Sequence, residues 1–204
     1  MNYELAYRVG FHPWEDALGQ RSFVATLSEL LDREEQGREP PYGRALDLGT
    51  GSGVWGVELV KRGWEVTGVD VVDKALERAR DRVEQAGVSM RIVKADVTDL
   101  QTAGVGSGFR LLLDTGTFHG LTREQREAMG RAVSMAAAPG AALLMLAWAP
   151  KRRGPLPRGA SRAEIEAAFP GWDVSDAGAT GFRAPKPIEV LLKPEERWYR
   201  LQRS

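Results

Sequence analysis

The sequence predicts an α/β fold: a mostly parallel sheet with helices on both faces. Three observations predict it. Short apolar runs alternate with amphipathic, charged-faced segments through the middle of the 204-residue chain, the pattern of strands laid parallel by crossover helices. A glycine-rich turn, Gly49-Thr50-Gly51-Ser52-Gly53, joins the first apolar run to the segment after it, as where a strand end must approach a ligand. Near the end the alternation stops, and two strand-like runs flank a Gly- and Pro-rich loop, as in a closing antiparallel pair.

Residues 1–40 read as a helical extension. Phe23, Val24, Leu27, Leu30 and Leu31 recur at helical spacing, so Ser22–Gln36 is an amphipathic helix ended by Gly37 and Pro40-Pro41. The main domain then occupies residues 41–204. Its first strand is Arg44–Leu48, followed by a helix over Gly53–Arg62. Trp64–Val69 is the second strand and Val72–Ala86 a helix closed by Gly87. Ser89–Lys94 and Phe109–Leu113 are the third and fourth strands. Arg123–Ala137 is a helix. Pro139-Gly140 marks a turn, and Ala141–Trp148 is the fifth strand. Arg162–Phe169 is a helix with Ser161 as its cap and Glu164 three residues on. Trp172–Ser175 and Trp198–Leu201 form the closing strands.

Composition narrows the function classes. Lys plus Arg and Asp plus Glu each number 28, for zero net formal charge. A general nucleic-acid binder needs excess cations to displace phosphate counterions, so no nucleic-acid partner is expected. Hydrophobic residues make up 43% and cysteine is absent, which allows a sizeable core and excludes disulfides and thiolate chemistry. Met1-Asn2-Tyr3-Glu4 lacks the basic and apolar regions of a signal peptide. The longest uncharged stretch, from Ala132 to Pro150, is broken at Pro139-Gly140, whereas a membrane span needs about 20 unbroken apolar residues. The expectation is a cytoplasmic protein without a membrane partner, as a monomer or homodimer. No metal site is expected, since the two histidines lie far apart in sequence and no carboxylates cluster at coordinating spacing.

The glycine turn admits two cofactors. Gly51-Ser52-Gly53-Val54-Trp55-Gly56 matches G-x-G-x-x-G, and Asp70 ends the next strand, where NAD or an adenosyl ligand presents its ribose hydroxyls. Asp47 favours the adenosyl ligand. It lies just before the first glycine, where a carboxylate holds a cationic amino group but repels a pyrophosphate. Asp96 follows the third strand, placed to accept from an adenine amino group. Asp47, Asp70 and Asp96 thus end three strands in turn, at the sheet edge where open parallel sheets bind ligands.

With Asp47-Leu48-Gly49-Thr50-Gly51-Ser52-Gly53, Trp64-Glu65-Val66-Thr67-Gly68-Val69-Asp70, Ala95-Asp96 and Asp114-Thr115-Gly116-Thr117-Phe118-His119, the chain resembles the class I S-adenosylmethionine-dependent methyltransferases. Within them it resembles the thiopurine and tellurite-resistance-type branch, which acts on small nucleophiles. The resemblance covers residues 43–148. It implies a Rossmann-like three-layer sandwich with a seven-stranded, mostly parallel sheet of order 3-2-1-4-5-7-6. It implies Asp70 on the ribose hydroxyls, Asp96 on the adenine amino group and Val71 against the adenine face. It further assigns Asp47, Gly49, Thr50, Gly51, Gly53, Val97 and Asp114 to the cofactor. Tyr7–Trp14 is rich in aromatics and reads as a lid over a cationic sulfonium, and the branch's Pro-Trp extends that role to Trp14.

The acceptor side rests on fewer residues. His119 follows the fourth strand on the cofactor edge and is the candidate proton acceptor. Asp114 is the second candidate, for the cofactor's methionine moiety, the acceptor or its proton. Lys151-Arg152-Arg153-Gly154-Pro155-Leu156-Pro157-Arg158 follows the fifth strand and suits an anionic acceptor. Three readings stand at this point: methyl transfer to a small-molecule acceptor, an NAD-dependent oxidoreductase, and a non-catalytic S-adenosylmethionine-binding module.

Overall fold

The computed structural model describes residues 20–151, 158–181 and 195–204. Trp14, with the rest of the expected lid, and the middle of the cationic loop lie outside the described residues.

Helix α1 spans Arg21–Glu35 and buries Phe23, Leu27, Leu30 and Leu31, the apolar stripe read from the sequence. Each such side chain contributes roughly 1.5–3 kcal/mol on burial. Phe23 packs against Trp55 and Trp198, with ring centroids 5.5 and 5.9 Å away. Polar bonds fix the helix further. Glu35 accepts from Arg62 Nε at 2.9 Å and Trp64 Nε1 at 2.8 Å, and Glu34 pairs with Arg200.

The remaining elements are β1 (Gly43–Leu48), α2 (Val54–Arg62), β2 (Trp64–Asp70), α3 (Asp73–Ala86), β3 (Arg91–Lys94), β4 (Phe109–Asp114), α4 (Arg123–Ala136), β5 (Ala137–Trp148), α5 (Arg162–Ala168), β6 (Trp172–Ala179) and β7 (Glu196–Arg203). A single turn of 3-10 helix, Phe118–Gly120, lies between β4 and α4. The seven strands form one sheet in the order β3-β2-β1-β4-β5-β7-β6. β7 runs antiparallel to both of its neighbours. This is the order and sense the resemblance implies.

Side chains alternate between the two faces, as pleating requires. Leu46, Leu48, Leu112, Leu143 and Met145 join Phe118, Met129, Val133, Ile165 and Phe169 in one buried cluster. Ala45, Leu111, Leu113, Leu144 and Leu146 join Phe23, Leu27, Trp55, Leu59 and Trp198 in the other. Two capping boxes start helices on the first face, Thr122 with Gln125 and Ser161 with Glu164.

The structure corrects some boundaries. β5 starts at Ala137, before the expected turn. The β4–β5 register jumps between the pairs Phe109–Ala137 and Leu111–Ala142, so Pro139-Gly140 is taken up as a bulge inside the strand. Proline has no N–H to give the ladder, and a bulge absorbs it. β3 starts at Arg91 rather than Ser89, and β6 runs on to Ala179. Among the described residues, no helix is long and apolar enough to cross a membrane.

Candidate active site

Register sets the site. Leu48 of β1 pairs with Val69 of β2 and Asp114 of β4. Asp47, Asp70 and Asp114 therefore collect at the carboxyl edge of three adjacent strands. Asp47 is 1% exposed. Its Oδ2 accepts from Thr50 Oγ1 at 2.6 Å, while its Oδ1 is buried with no hydrogen-bond partner among the described residues. Burial raises its pKa to about 7, against the Thr50 bond and with help from the charges of Asp114 and Asp70. A buried carboxylate in this state lacks a cation or donor.

The glycine turn is shaped by close approach. Gly49, Gly51 and Gly53 have φ of 70°, 54° and 76°, the left-handed region that side chains disfavour. A Cβ at Gly49 would lie 2.0 Å from Thr117 Oγ1, and that hydroxyl donates to Leu48 O at 3.2 Å. The turn after β4 thus closes directly on the turn after β1. Arg82 of α3 supports the other side, donating from Nε to Ser52 O at 2.8 Å.

Asp70 accepts from the Gly51 N–H at 3.0 Å and the Val72 N–H at 2.9 Å. Burial raises its pKa, and those two amides pull against the rise. Val71 beside it is 54% exposed, one of two large apolar side chains so exposed among the described residues. Asp96 is exposed, and its Oδ1 accepts from the Thr98 N–H and hydroxyl. Val97, expected with the cofactor set, is buried within the core cluster.

Asp114 is fully buried, and three backbone amides engage both its oxygens: Gly116 and Thr117 on Oδ1, Phe118 on Oδ2. Burial raises its pKa to about 6 despite those bonds. It shapes the turn that carries Phe118 and His119. Phe118 fills core, while His119 is 5% exposed and stacks on Trp148 at the end of β5, with ring centroids 5.1 Å apart. His119 Nδ1 accepts from the Trp148 N–H at 3.4 Å. An amide N–H only donates, so a neutral imidazole here carries its proton on Nε2. Lys151 and Arg158 pair through their backbones, Lys151 N to Arg158 O at 2.9 Å, and mark the two sides of the loop after β5.

Sequence reasoning missed Thr117, Trp148 and Arg126. Trp148 had a signal, an aromatic ending a strand at the cofactor edge. Arg126 had one too, an arginine on the buried stripe of α4 with Met129 and Val133. Among the described residues no His, Asp or Glu side chains group as metal ligands.

A doubly wound sheet of this order, with acidic strand ends around a glycine turn, defines an adenosyl-cofactor-binding α/β protein. The buried unpartnered Asp47 oxygen fits a cationic amino group, and the glycine cradle fits close backbone approach. Residues 45–140 match the family described as Methyltransferase domain. The 2-heptyl-1-hydroxyquinolin-4(1H)-one methyltransferase of Mycobacteroides abscessus is 31% identical over 155 residues, 72% of this chain and 66% of that protein. The chain thus spans about two thirds of that relative's length. An S-adenosylmethionine-dependent methyltransferase from Clostridium acetobutylicum superposes with a TM-score of 0.71 at 12% identity, covering 98% of this chain and 99% of its own. Burkholderia thailandensis 1,6-didemethyltoxoflavin-N1-methyltransferase, solved with S-adenosylhomocysteine, gives 0.68 at 19% identity, covering 100% and 86%. The chain belongs to the class I S-adenosylmethionine-dependent methyltransferases, and S-adenosylmethionine is its cofactor. That membership removes the NAD-dependent oxidoreductase reading.

Proposed function

We propose that the protein transfers the methyl group of S-adenosylmethionine to a small-molecule nucleophile seated over the ends of β4 and β5. The observation that carries this is the His119–Trp148 stack. It stands at the cofactor edge, on the strands next to the carboxylate-bearing turns. The quinolone-methylating relative supports a small acceptor. The resemblance to the thiopurine and tellurite-resistance-type branch supports a soft or readily ionised acceptor atom.

The cofactor supplies an electrophilic methyl carbon on a cationic sulfur. Asp47 takes its amino group, Asp70 its ribose hydroxyls, Asp96 its adenine amino group, and Val71 lies against the adenine face. Gly49, Thr50, Gly51 and Gly53 let the backbone come close. His119 and Trp148 wall the acceptor, and Asp114 holds the turn that presents His119. Holding the reactants in line supplies much of the acceleration, since well-oriented pairs gain about 7–11 kcal/mol over free encounter. With Nδ1 occupied by the Trp148 amide, His119 is better suited to orient an already ionised acceptor than to remove its proton. The acid limb of the pH profile then follows the acceptor's own pKa.

Calorimetric titration with S-adenosylmethionine, S-adenosylhomocysteine and NAD tests the cofactor assignment. Both adenosyl compounds are expected to bind and NAD is not, and Asp70→Ala should weaken them by about tenfold or more. A screen of thiols, halides, chalcogen oxyanions, phenols and hydroxyquinolones then tests the acceptor class. Tight adenosyl binding without turnover on any class would favour a non-catalytic binding module.

A further inference from the structure

We propose that Arg126 is a positioning residue that fixes the turn after β4 to the backbone at Gly159–Ala160 and, through them, the tautomer and orientation of His119. This rests on the acceptor lying over β4 and β5, as proposed above.

Arg126 points inward from α4 and is 6% exposed. Its guanidinium donates from Nε to Phe118 O at 3.3 Å and from Nη2 to His119 O at 3.1 Å. The same Nη2 reaches Gly159 O at 2.6 Å, and Nη1 donates to Glu164 Oε1 at 2.9 Å. Its Cζ lies 5.2 Å from the Phe118 ring centroid. A buried guanidinium is costly unless its donors are met, and here four acceptors from three segments meet them.

Those acceptors are not scattered. Phe118 and His119 form the turn whose amide side Asp114 already holds. The turn thus sits between a carboxylate on its N–H groups and a guanidinium on its carbonyls. Gly159 belongs to the return of the loop after β5. Its neighbour Ala160 donates to Trp148 O at 2.8 Å, and a Cβ at Gly159 would lie 2.5 Å from that same oxygen. Arg126 therefore holds the backbone of His119 and the backbone packed on Trp148 at once. The distance between the two rings, and the Trp148 N–H bond that selects the His119 tautomer, follow from that clamp. Only a planar fork with several fixed donors can reach all of these partners. A lysine ammonium can reach only some of them.

Long-range ¹H–¹⁵N correlation spectra of His119 test this, with His12→Asn removing the other histidine signal. The intact protein should show one neutral tautomer, protonated on Nε2. Arg126→Met and Arg126→Lys should show mixed tautomers, with S-adenosylhomocysteine affinity within about threefold of the parent and turnover of any accepted substrate reduced about tenfold or more. If Arg126→Met does not fold, the lysine variant carries the test. A folded variant that keeps the single Nε2-protonated pattern overturns the proposal, as does a loss of adenosylhomocysteine binding equal to the loss of turnover. The spectra need no acceptor. Absence of methyl transfer by the parent protein would therefore count against the proposed function alone.

Discussion

The two halves of the site are built by different means. The cofactor half, over β1, β2 and β3, is held largely by acidic side chains that accept from groups two or three residues away, with Gly51 on Asp70 and Arg82 on Ser52 as longer ties. Asp70 binds the amide of Val72 two residues on, Asp96 that of Thr98, and Asp47 the hydroxyl of Thr50. The acceptor half, over β4 and β5, adds to the local Asp114 turn a set of ties across the fold that end on the acceptor-side rings and carbonyls. Arg126 reaches Gly159, 33 residues away, and His119 meets Trp148 after 29. A ligand shared by a whole family suits a short, self-contained cradle. A site for one acceptor suits parts drawn from several loops, each of which can change alone.

Breaking the point where the halves touch should have the largest effect. Gly49→Ala places a Cβ against Thr117 Oγ1 at a φ of 70°. Strain and overpacking of this kind cost about 1–3 kcal/mol each. Melting temperature is expected to fall by several degrees and adenosylhomocysteine affinity by about a hundredfold. A calorimetric titration indistinguishable from the parent would show that the halves do not depend on this contact.

A second prediction separates the halves by charge. Asp47 and Asp114 have pKa values raised to about 7 and about 6 from 3.8. Carboxyls raised on folding stabilise fully below the unfolded value, and that contribution is lost as pH rises through 6 and 7. The free protein should therefore lose stability over that window. Adenosylmethionine, by placing a cation near Asp47, should restore it, so its thermal shift grows from pH 5.5 to 8. Asp47→Asn should flatten both trends in melting curves. Both Asp114 oxygens are engaged by backbone amides, so its share of the loss should persist in the bound protein.

The smallest expected effect lies at the rim. Val71→Ala removes apolar surface that is exposed in the free protein, worth about 1 kcal/mol when covered by a ligand. Adenosylhomocysteine should bind about fivefold more weakly, with melting of the free protein unchanged. A drop in melting temperature would mean that Val71 packs within the fold.

The same division explains what could be read in advance. Asp47, Gly49 and Asp70 stand in short motifs whose spacing reports their geometry, and α1 announced its buried stripe through Phe23, Leu27, Leu30 and Leu31. The strand order, by contrast, came with the family resemblance, since apolar alternation does not say which strands are neighbours. Pro139-Gly140 looked like a stop and proved a bulge, because β4 pairs with the strand on both sides of it, Phe109 with Ala137 and Leu111 with Ala142. Arg126 and Trp148 gain meaning only when α4, β5 and the loop at Gly159 meet in space. Val97, next to Asp96, buries its side chain in the core, a placement that the motif alone did not announce.

The placement of β7 has its own consequence for how the chain reaches this state. β6 precedes β7 in synthesis, yet in the finished sheet β7 lies between β5 and β6. While the ribosome has delivered only as far as β6, the edge of β5 stays open and β6 has no partner strand. An open edge of that kind invites pairing with other chains. The nascent protein is thus most exposed to aggregation in the interval before Glu196–Arg203 emerges, and a chaperone that shields β5 would matter most then.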